Sequence, residues 1–437
     1  MKSSARILVC AGCILLLIVS WVVVISSKSD AEKQLALIQQ AAELTKNGIY
    51  IRAMPLLEEA VGYNAPHTLA AEAELKKVYL ALIDNRGFSR KYIGLLEKQM
   101  ARRDALPDVF AEAAGYYLSI SRIPEALTIL KGGIEKTGSD RLVKLYEGNR
   151  YAYKASRASY DFVSEINGGT VQVHKGGRWG IAESDGVALI PCEYEKISTF
   201  SIDRAIVKKD GEIYAVDRDN NRIELLAERA ADFGNLSDNR VPLLIGGKWI
   251  RATGDFILGS TEFEQIGTYS FGFAAAKSGG KWGVIDIGTQ WLVPAQYDAI
   301  VQDELGRCYA QGAAFARSGG AVLLFADGKQ IGGQYEDARP FSGEGYAAVK
   351  KNGKWGFIDT GGEVMIGFMF DDALSFGQHL AAVKQGGLWG YVSLNGKIVI
   401  EPGFIEAKSF SNGSAPVLTE RGWQFITLLE YKKEVGL

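Results

Sequence analysis

The sequence predicts two folded parts behind a membrane anchor: α-helical hairpins, then an all-β array. Three observations carry this. An uncharged apolar stretch opens the chain. Apolar residues then recur at helical spacing to about residue 157. From there a short β-type unit repeats to the end. The expected boundaries are 1–30 for a cytoplasmic tip and anchor, 31–157 for the helices and 158–437 for the β array of about eight units.

At 437 residues the chain is too long for one ordinary core. Its 47% hydrophobic content is enough to fold. The formal charge of −2 hides an asymmetry. Lys plus Arg against Asp plus Glu is 19 to 15 over 31–157, a net +4, and 27 to 35 over 158–437, a net −8. Neither part is basic enough for a nucleic-acid surface, so no nucleic-acid partner is expected. Of the 51 glycines, 41 follow residue 157, which marks the boundary.

Lys2 and Arg6 precede the uncharged stretch Ile7 to Ser27. Its 21 residues, at about 1.5 Å each, span about 30 Å, the thickness of a bilayer's hydrocarbon core. A cleaved signal peptide would have a shorter apolar run and a better site than Ile25-Ser26-Ser27. Ala11-Gly12-Cys13 resembles the end of a lipobox, but Cys10 holds the place where Leu is usual. The reading is therefore an uncleaved transmembrane helix, with the membrane as partner through residues 7–27. Positive charge before the stretch keeps the N-terminus cytoplasmic and the bulk of the chain outside.

In the helical part, Leu35, Leu37, Ile38, Ala41, Ala42 and Leu44 form one face, stopped by Asn47-Gly48 as by a C-cap glycine. The best unit runs Phe110, Ala113, Ala114, Tyr117, then Ala126, Leu130 and Gly133. The same offsets give Leu37, Ala41, Leu44, Ala53, Leu57 and Ala60, with a weaker copy at Leu80, Ile83, Tyr92 and Leu96. This spacing resembles the tetratricopeptide repeat, although the usual first Trp is absent. The resemblance implies a surface for peptides or partner proteins. Arg102 and Arg103 are a candidate carboxylate clamp or a solvated helix end.

The β part is self-similar. Lys354-Trp355-Gly356, Lys281-Trp282-Gly283 and Leu388-Trp389-Gly390 are its clearest centres. Others lie at Trp179, Trp249 and Trp423, with Ile213 and Val322 in two degenerate copies. Successive centres are 34, 36, 33, 40, 33, 34 and 34 residues apart. Before each comes a small-apolar strand such as Ala347-Ala348-Val349, then a tight turn such as Asn352-Gly353 or Gly386-Gly387. Asn-Gly and Gly-Gly supply the two positive φ angles of a type I′ hairpin. After each come a second turn, a third strand, an aromatic–acid pair such as Tyr194-Glu195 or Phe370-Asp371, and a corner such as Phe341-Ser342.

This pattern resembles the bacterial WG-repeat family, named for its Trp-Gly centre. The resemblance covers about 160–430 and implies an architecture without a single assigned activity. Units near 34 residues offer three clear strands, where a propeller blade has four in about 40–45. The two ends also show no obvious shared blade. An open superhelical stack of hairpins is expected, with a β-propeller as the alternative.

The repeat tryptophans could stack on sugars, but a small unit needs them for its core. The acids after Tyr or Phe could bind a ligand or Ca²⁺, but a carboxylate there also fixes a corner by accepting N–H groups. Asp217, Asp219, Asn221 and Glu228 match positions 1, 3, 5 and 12 of a calcium loop. Arg222 stands in its glycine place, so a hairpin tip is the reading. His67, His174 and His379 lie far apart, and no nucleophile, metal or nucleotide motif is present. Cys192 and Cys308 are expected as free buried thiols.

No catalytic, metal or cofactor-binding residue is therefore nominated, the binding residues stay open, and no cofactor is expected. The expectation is a non-enzymatic, single-pass protein of the bacterial cytoplasmic membrane. It would be an extracytoplasmic scaffold with a protein partner. The competing expectation is a binder of cell-envelope glycan, peptidoglycan or a surface polysaccharide.

Overall fold

In the computed structural model the described residues are 29–85, 87–225 and 230–430. The expected anchor, Ile7 to Ser27, lies outside them. Among the described residues no helix is long and apolar enough to cross a membrane. The chain divides into two compact units after Asn149.

The first unit is helical. α1 covers residues 29–46. It is followed by α2 (Tyr50–Gly62), α3 (Thr68–Ala81), α4 (Phe88–Ala101), α5 (Pro107–Ser119), α6 (Ile123–Thr137) and α7 (Asp140–Glu147). Gly48 ends α1 with φ +74°, the left-handed cap its position predicts. Ala41, Ala53 and Leu57 are fully buried in one core, and Phe110, Ala114, Ala126, Leu130 and Leu142 form another. Gly133 is required because α6 lies so close to its neighbours. A β-carbon there would sit 2.7 Å from Phe110 and from Leu142. Two apolar residues assigned to this core are instead exposed, Leu35 by 40% and Leu80 by 44%. Beside Leu35, Gln34 is buried, because its amide is satisfied by backbone elsewhere: Nε2 donates to the Ala60 carbonyl at 2.8 Å. Its Oε1 accepts the His67 N–H at 2.8 Å.

The second unit is an eight-bladed β-propeller, not the open stack. Each blade is a four-stranded antiparallel sheet. Blade 1 runs Phe162–Val163, Thr170–Lys175, Arg178–Glu183 and Ala188–Tyr194. Blades 2 to 7 repeat this order over residues 196–225, 230–263, 265–297, 299–335, 337–370 and 372–404. The strand missing from the three-strand count is the first of each blade. Outside blade 3 it is only two residues long, and outside blades 3 and 8 it directly follows the aromatic–acid pair, as at Lys196–Ile197.

Blade 8 closes the ring. Glu406–Ala407, Ser414–Thr419 and Gly422–Leu428 are completed by a strand from the start of the unit, Tyr153–Arg157. Tyr153 pairs with Leu428 and Arg157 with Gln424. That strand lies within the segment assigned to the helices, so no blade shared between the ends could be read there. Closure packs Trp423 and Phe425 of blade 8 against Val163, Ile166, Val171 and Val173 of blade 1, covering two apolar faces that an open array would expose.

The repeat pattern follows from this geometry. Ala347, Ala348 and Val349 are all fully buried, because a second strand is covered on both faces by neighbouring blades. Both residues of Asn352-Gly353 have positive φ, at 53° and 75°. The Trp pairs in register with the aromatic of the outer strand, as Trp179 with Tyr194 and Trp355 with Phe370. The glycine after it has a steric cause. The outer strand shifts register beside it, and a β-carbon on Gly356 would meet the Ile366 carbonyl oxygen at 2.7 Å. Gly180 and Gly390 meet Ile190 and Ile400 at 2.5 Å.

Candidate functional site

The corner after each first strand faces the centre of the ring. Seven corners are short. The eighth, in blade 5, carries the extra residues behind the 40-residue spacing between Trp282 and Val322. This loop, Gln302 to Arg307, reaches across the ring. Its shape is set by Asp303, whose Oδ1 accepts the N–H groups of Leu305 at 3.0 Å and Arg307 at 2.9 Å. Asp303 Oδ2 accepts Arg307 Nε at 2.6 Å. Gly306 turns the loop with φ +84°.

The loop is anchored on distant blades. The Leu305 carbonyl accepts the Asn235 side-chain N–H of blade 3 at 3.0 Å, and the Thr268 N–H of blade 4 donates to the Gly306 carbonyl at 2.9 Å. Glu304 accepts the Glu165 backbone N–H from blade 1 and, at 2.6 Å, Lys408 Nζ from blade 8. Lys408 also pairs with Glu406 at 2.9 Å. The Glu165 carboxylate accepts the Ser409 N–H at 2.9 Å.

Charge is therefore concentrated in a place where water is scarce. Burial, then the negative charge of Glu304, pushes the Glu165 carboxyl up to about 7, against Lys408, Arg307 and the Ser409 N–H. Burial works against charge on Lys408, but Glu304 and Glu406 outweigh it and hold its pKa above the ordinary value. Arg307 is held up in the same way, with Asp303, Glu165 and Glu304 opposing burial.

Two cavities flank the loop. One of about 410 Å³ is lined by Arg339, Asp372, Ser375, Trp389, Lys408 and Glu304, among others. Arg339 donates to Asp372 at 3.1 Å and lies 4.7 Å from the Trp355 ring centroid. The other, about 620 Å³, is lined by Trp179, Lys196, Asn235, Thr268, Gln302 and Glu304. Both mix paired charges with an aromatic wall, which suits a polar group.

The residues singled out from sequence have plain partners. Trp355, Trp389 and Trp423 are buried, and Trp179, Trp249 and Trp282 are half-buried. The acid of the aromatic–acid pair clasps the next hairpin. Asp161, Glu195, Glu264, Asp298, Glu336 and Asp371 accept the N–H groups of Gly176, Asp210, Gly280, Gly319, Gly353 and Gly386. Asp217 Oδ1 accepts the N–H groups of Asp219 and Asn221, which makes a hairpin tip, while Glu228 lies outside the described residues.

In the helical unit Arg102 forms an ion pair with buried Glu72, and Arg103 is exposed. His174 packs on Trp179 in blade 1, and His379 lies 3.4 Å from Glu344 at the corner of blade 7. Cys192 and Cys308 are free thiols, and burial pushes Cys308 up to about 12. Among the described residues no three metal-ligating side chains come together. The axial cluster was missed by sequence reading, and its one signal was the long spacing in blade 5.

The description "WG containing repeat" matches residues 179–212, 331–355, 355–389 and 389–423, so the chain contains WG repeats. No curated protein matches its sequence. Among solved structures, Kluyveromyces lactis Hsv2p is similar at 11% identity and TM-score 0.35, over 54% of this chain and 91% of that one. The YCF48 protein from Cyanidioschyzon merolae is similar at 14% identity and TM-score 0.30, over 54% and 95%. The dihydro-heme d1 dehydrogenase NirN is similar at 13% identity and TM-score 0.35, over 65% and 80%. At such scores these likenesses carry no functional argument.

Proposed function

We propose that this WG-repeat protein is a membrane-anchored, extracytoplasmic interaction scaffold without catalytic activity. Its helical unit, read as tetratricopeptide-like, would take one protein partner, and its propeller would present a second surface. One observation carries the reading. The charged groups at the ring centre are committed to one another across blades 1, 5 and 8, and neutral hydrogen bonds tie the same loop to blades 3 and 4, so the corners are braced into one platform. The N-terminal stretch supports the anchor, and the charge before it supports the orientation.

The glycan reading has less support. The large aromatics with the greatest exposure among the described residues are Tyr153, Phe271 and Trp291, which do not form a ladder. The test is photo-crosslinking in cells from positions in each unit, with a C-terminal alkaline phosphatase fusion reporting orientation. Specific protein adducts and an active fusion are expected. Absence of adducts, with co-sedimentation on isolated cell-wall sacculi, would replace the scaffold by a glycan binder.

A further inference from the structure

The repeat provides an internal control for every blade interface. Two residues beyond the Trp position, six of the eight blades bury a side chain against the corner residue of the next blade. The pairs are Ile181 with Phe200, Val284 with Tyr309, Leu324 with Phe341, Phe357 with Phe376, Tyr391 with Phe410 and, across the closure, Phe425 with Ile166. All are apolar contacts in the ring's core.

Blade 3 breaks the pattern at several positions together. Arg251 stands where the others have Ile, Ala, Val, Leu, Phe or Tyr. The facing outer-strand position, which is Ile190, Val293, Ile366 and Ile400 in blades 1, 4, 6 and 7, is Gly259; blade 5 also has a glycine there, Gly332, but opposite Leu324. The guanidinium takes up the space. A β-carbon on Gly259 would lie 3.2 Å from a terminal nitrogen of Arg251 and 3.5 Å from its Nε. The corner residue of blade 4 is Tyr269, which is fully buried.

These polar groups have no partners among the described residues. The hydroxyl of Tyr269, Nε of Arg251 and Nε of Arg240 are buried and make no hydrogen bond. Arg240 otherwise donates to the Asn239 carbonyl at 2.7 Å. Arg240 lies opposite Thr253 and Arg251 opposite Pro242, so the two arginines are diagonal neighbours on one strand pair. Burial pushes Tyr269 up to about 12, while Arg251 and Arg240 pull it down and Asp286 pushes it up. Asp286 itself is occupied, its Oδ1 accepting the Gln290 N–H at 2.8 Å. A buried donor without an acceptor is costly, and two half-buried cations beside a buried hydroxyl favour an anion there. A guanidinium fork matches an oxyanion's geometry.

We infer that the interface between blades 3 and 4 is a binding site for a small oxyanion, held by Arg251, Arg240 and the hydroxyl of Tyr269. Phosphate and carboxylate share this chemistry. The test is titration calorimetry on the full chain in detergent, with inorganic phosphate and with succinate in separate arms. One of the two is expected to bind saturably, one ion per chain, and the arm that binds identifies the source. Arg251→Met should abolish binding. Tyr269→Phe keeps the shape of the ring and should weaken binding about tenfold. It remains decisive if Arg251→Met fails to fold by circular dichroism. Absence of binding by either ion up to about 10 mM, or binding unchanged in Tyr269→Phe, overturns the site.

Discussion

At the scale of single residues, the propeller separates groups that look alike in sequence. Glu165 and Glu195 are both glutamates near a blade's first strand, yet one is buried at the ring centre and the other clasps an exposed turn. The folded Glu165 keeps its proton up to about pH 7, where an ordinary glutamate loses it near 4.5. Its raised pKa means the folded state binds the proton more tightly. That contribution is complete below the unfolded value and is lost as pH rises through the folded one. The urea midpoint of the wild type should therefore fall between pH 4.5 and 7 relative to that of Glu165→Gln. Parallel midpoints across this window would refute the assignment. Lys408→Met leaves Glu304 beside Glu165 without its cation, and a loss of roughly 3 kcal/mol is expected in the same assay. Gly356→Ala forces a methyl group onto the Ile366 carbonyl and should cost about 1–3 kcal/mol by thermal unfolding.

At the scale of elements, two short segments matter more than their length suggests. The strand Tyr153–Arg157 supplies the outer edge of blade 8. A chain beginning at residue 158 should unfold at lower urea than one beginning at 150, with blade 8 amides losing protection in hydrogen exchange. Equal protection would mean that the closing strand contributes nothing. Neither segment was legible in the repeat pattern. The closing strand lies outside the self-similar region. The two-residue first strands carry too few residues to show an alternation of period two. In the helical unit, by contrast, Gly133 was picked out by spacing alone. Its role as the close-approach point is visible in its distance to Phe110 and Leu142.

At the scale of the whole molecule, a ring can bring blade 1 against both blade 5 and blade 8, which a one-directional stack of neighbours cannot. Replacing Gln302 to Arg307 by the short corner of blade 6 should leave the blades folded but remove ties among blades 1, 3, 4, 5 and 8. The expected readout is a broader, less cooperative thermal transition with unchanged far-ultraviolet dichroism. A transition as sharp as the wild type's would show that the loop does not brace the ring. The helical and β parts, the repeat length, the hairpin turns and the clasping acids were all legible along the chain. Those features depend on residues within one unit, and a local pattern records local constraints. Closure, the axial ion cluster and the polar interface at Arg251 were decided only by tertiary structure. Each joins residues from different blades, and the physical reason they form is burial shared across the ring, which no spacing within one unit encodes.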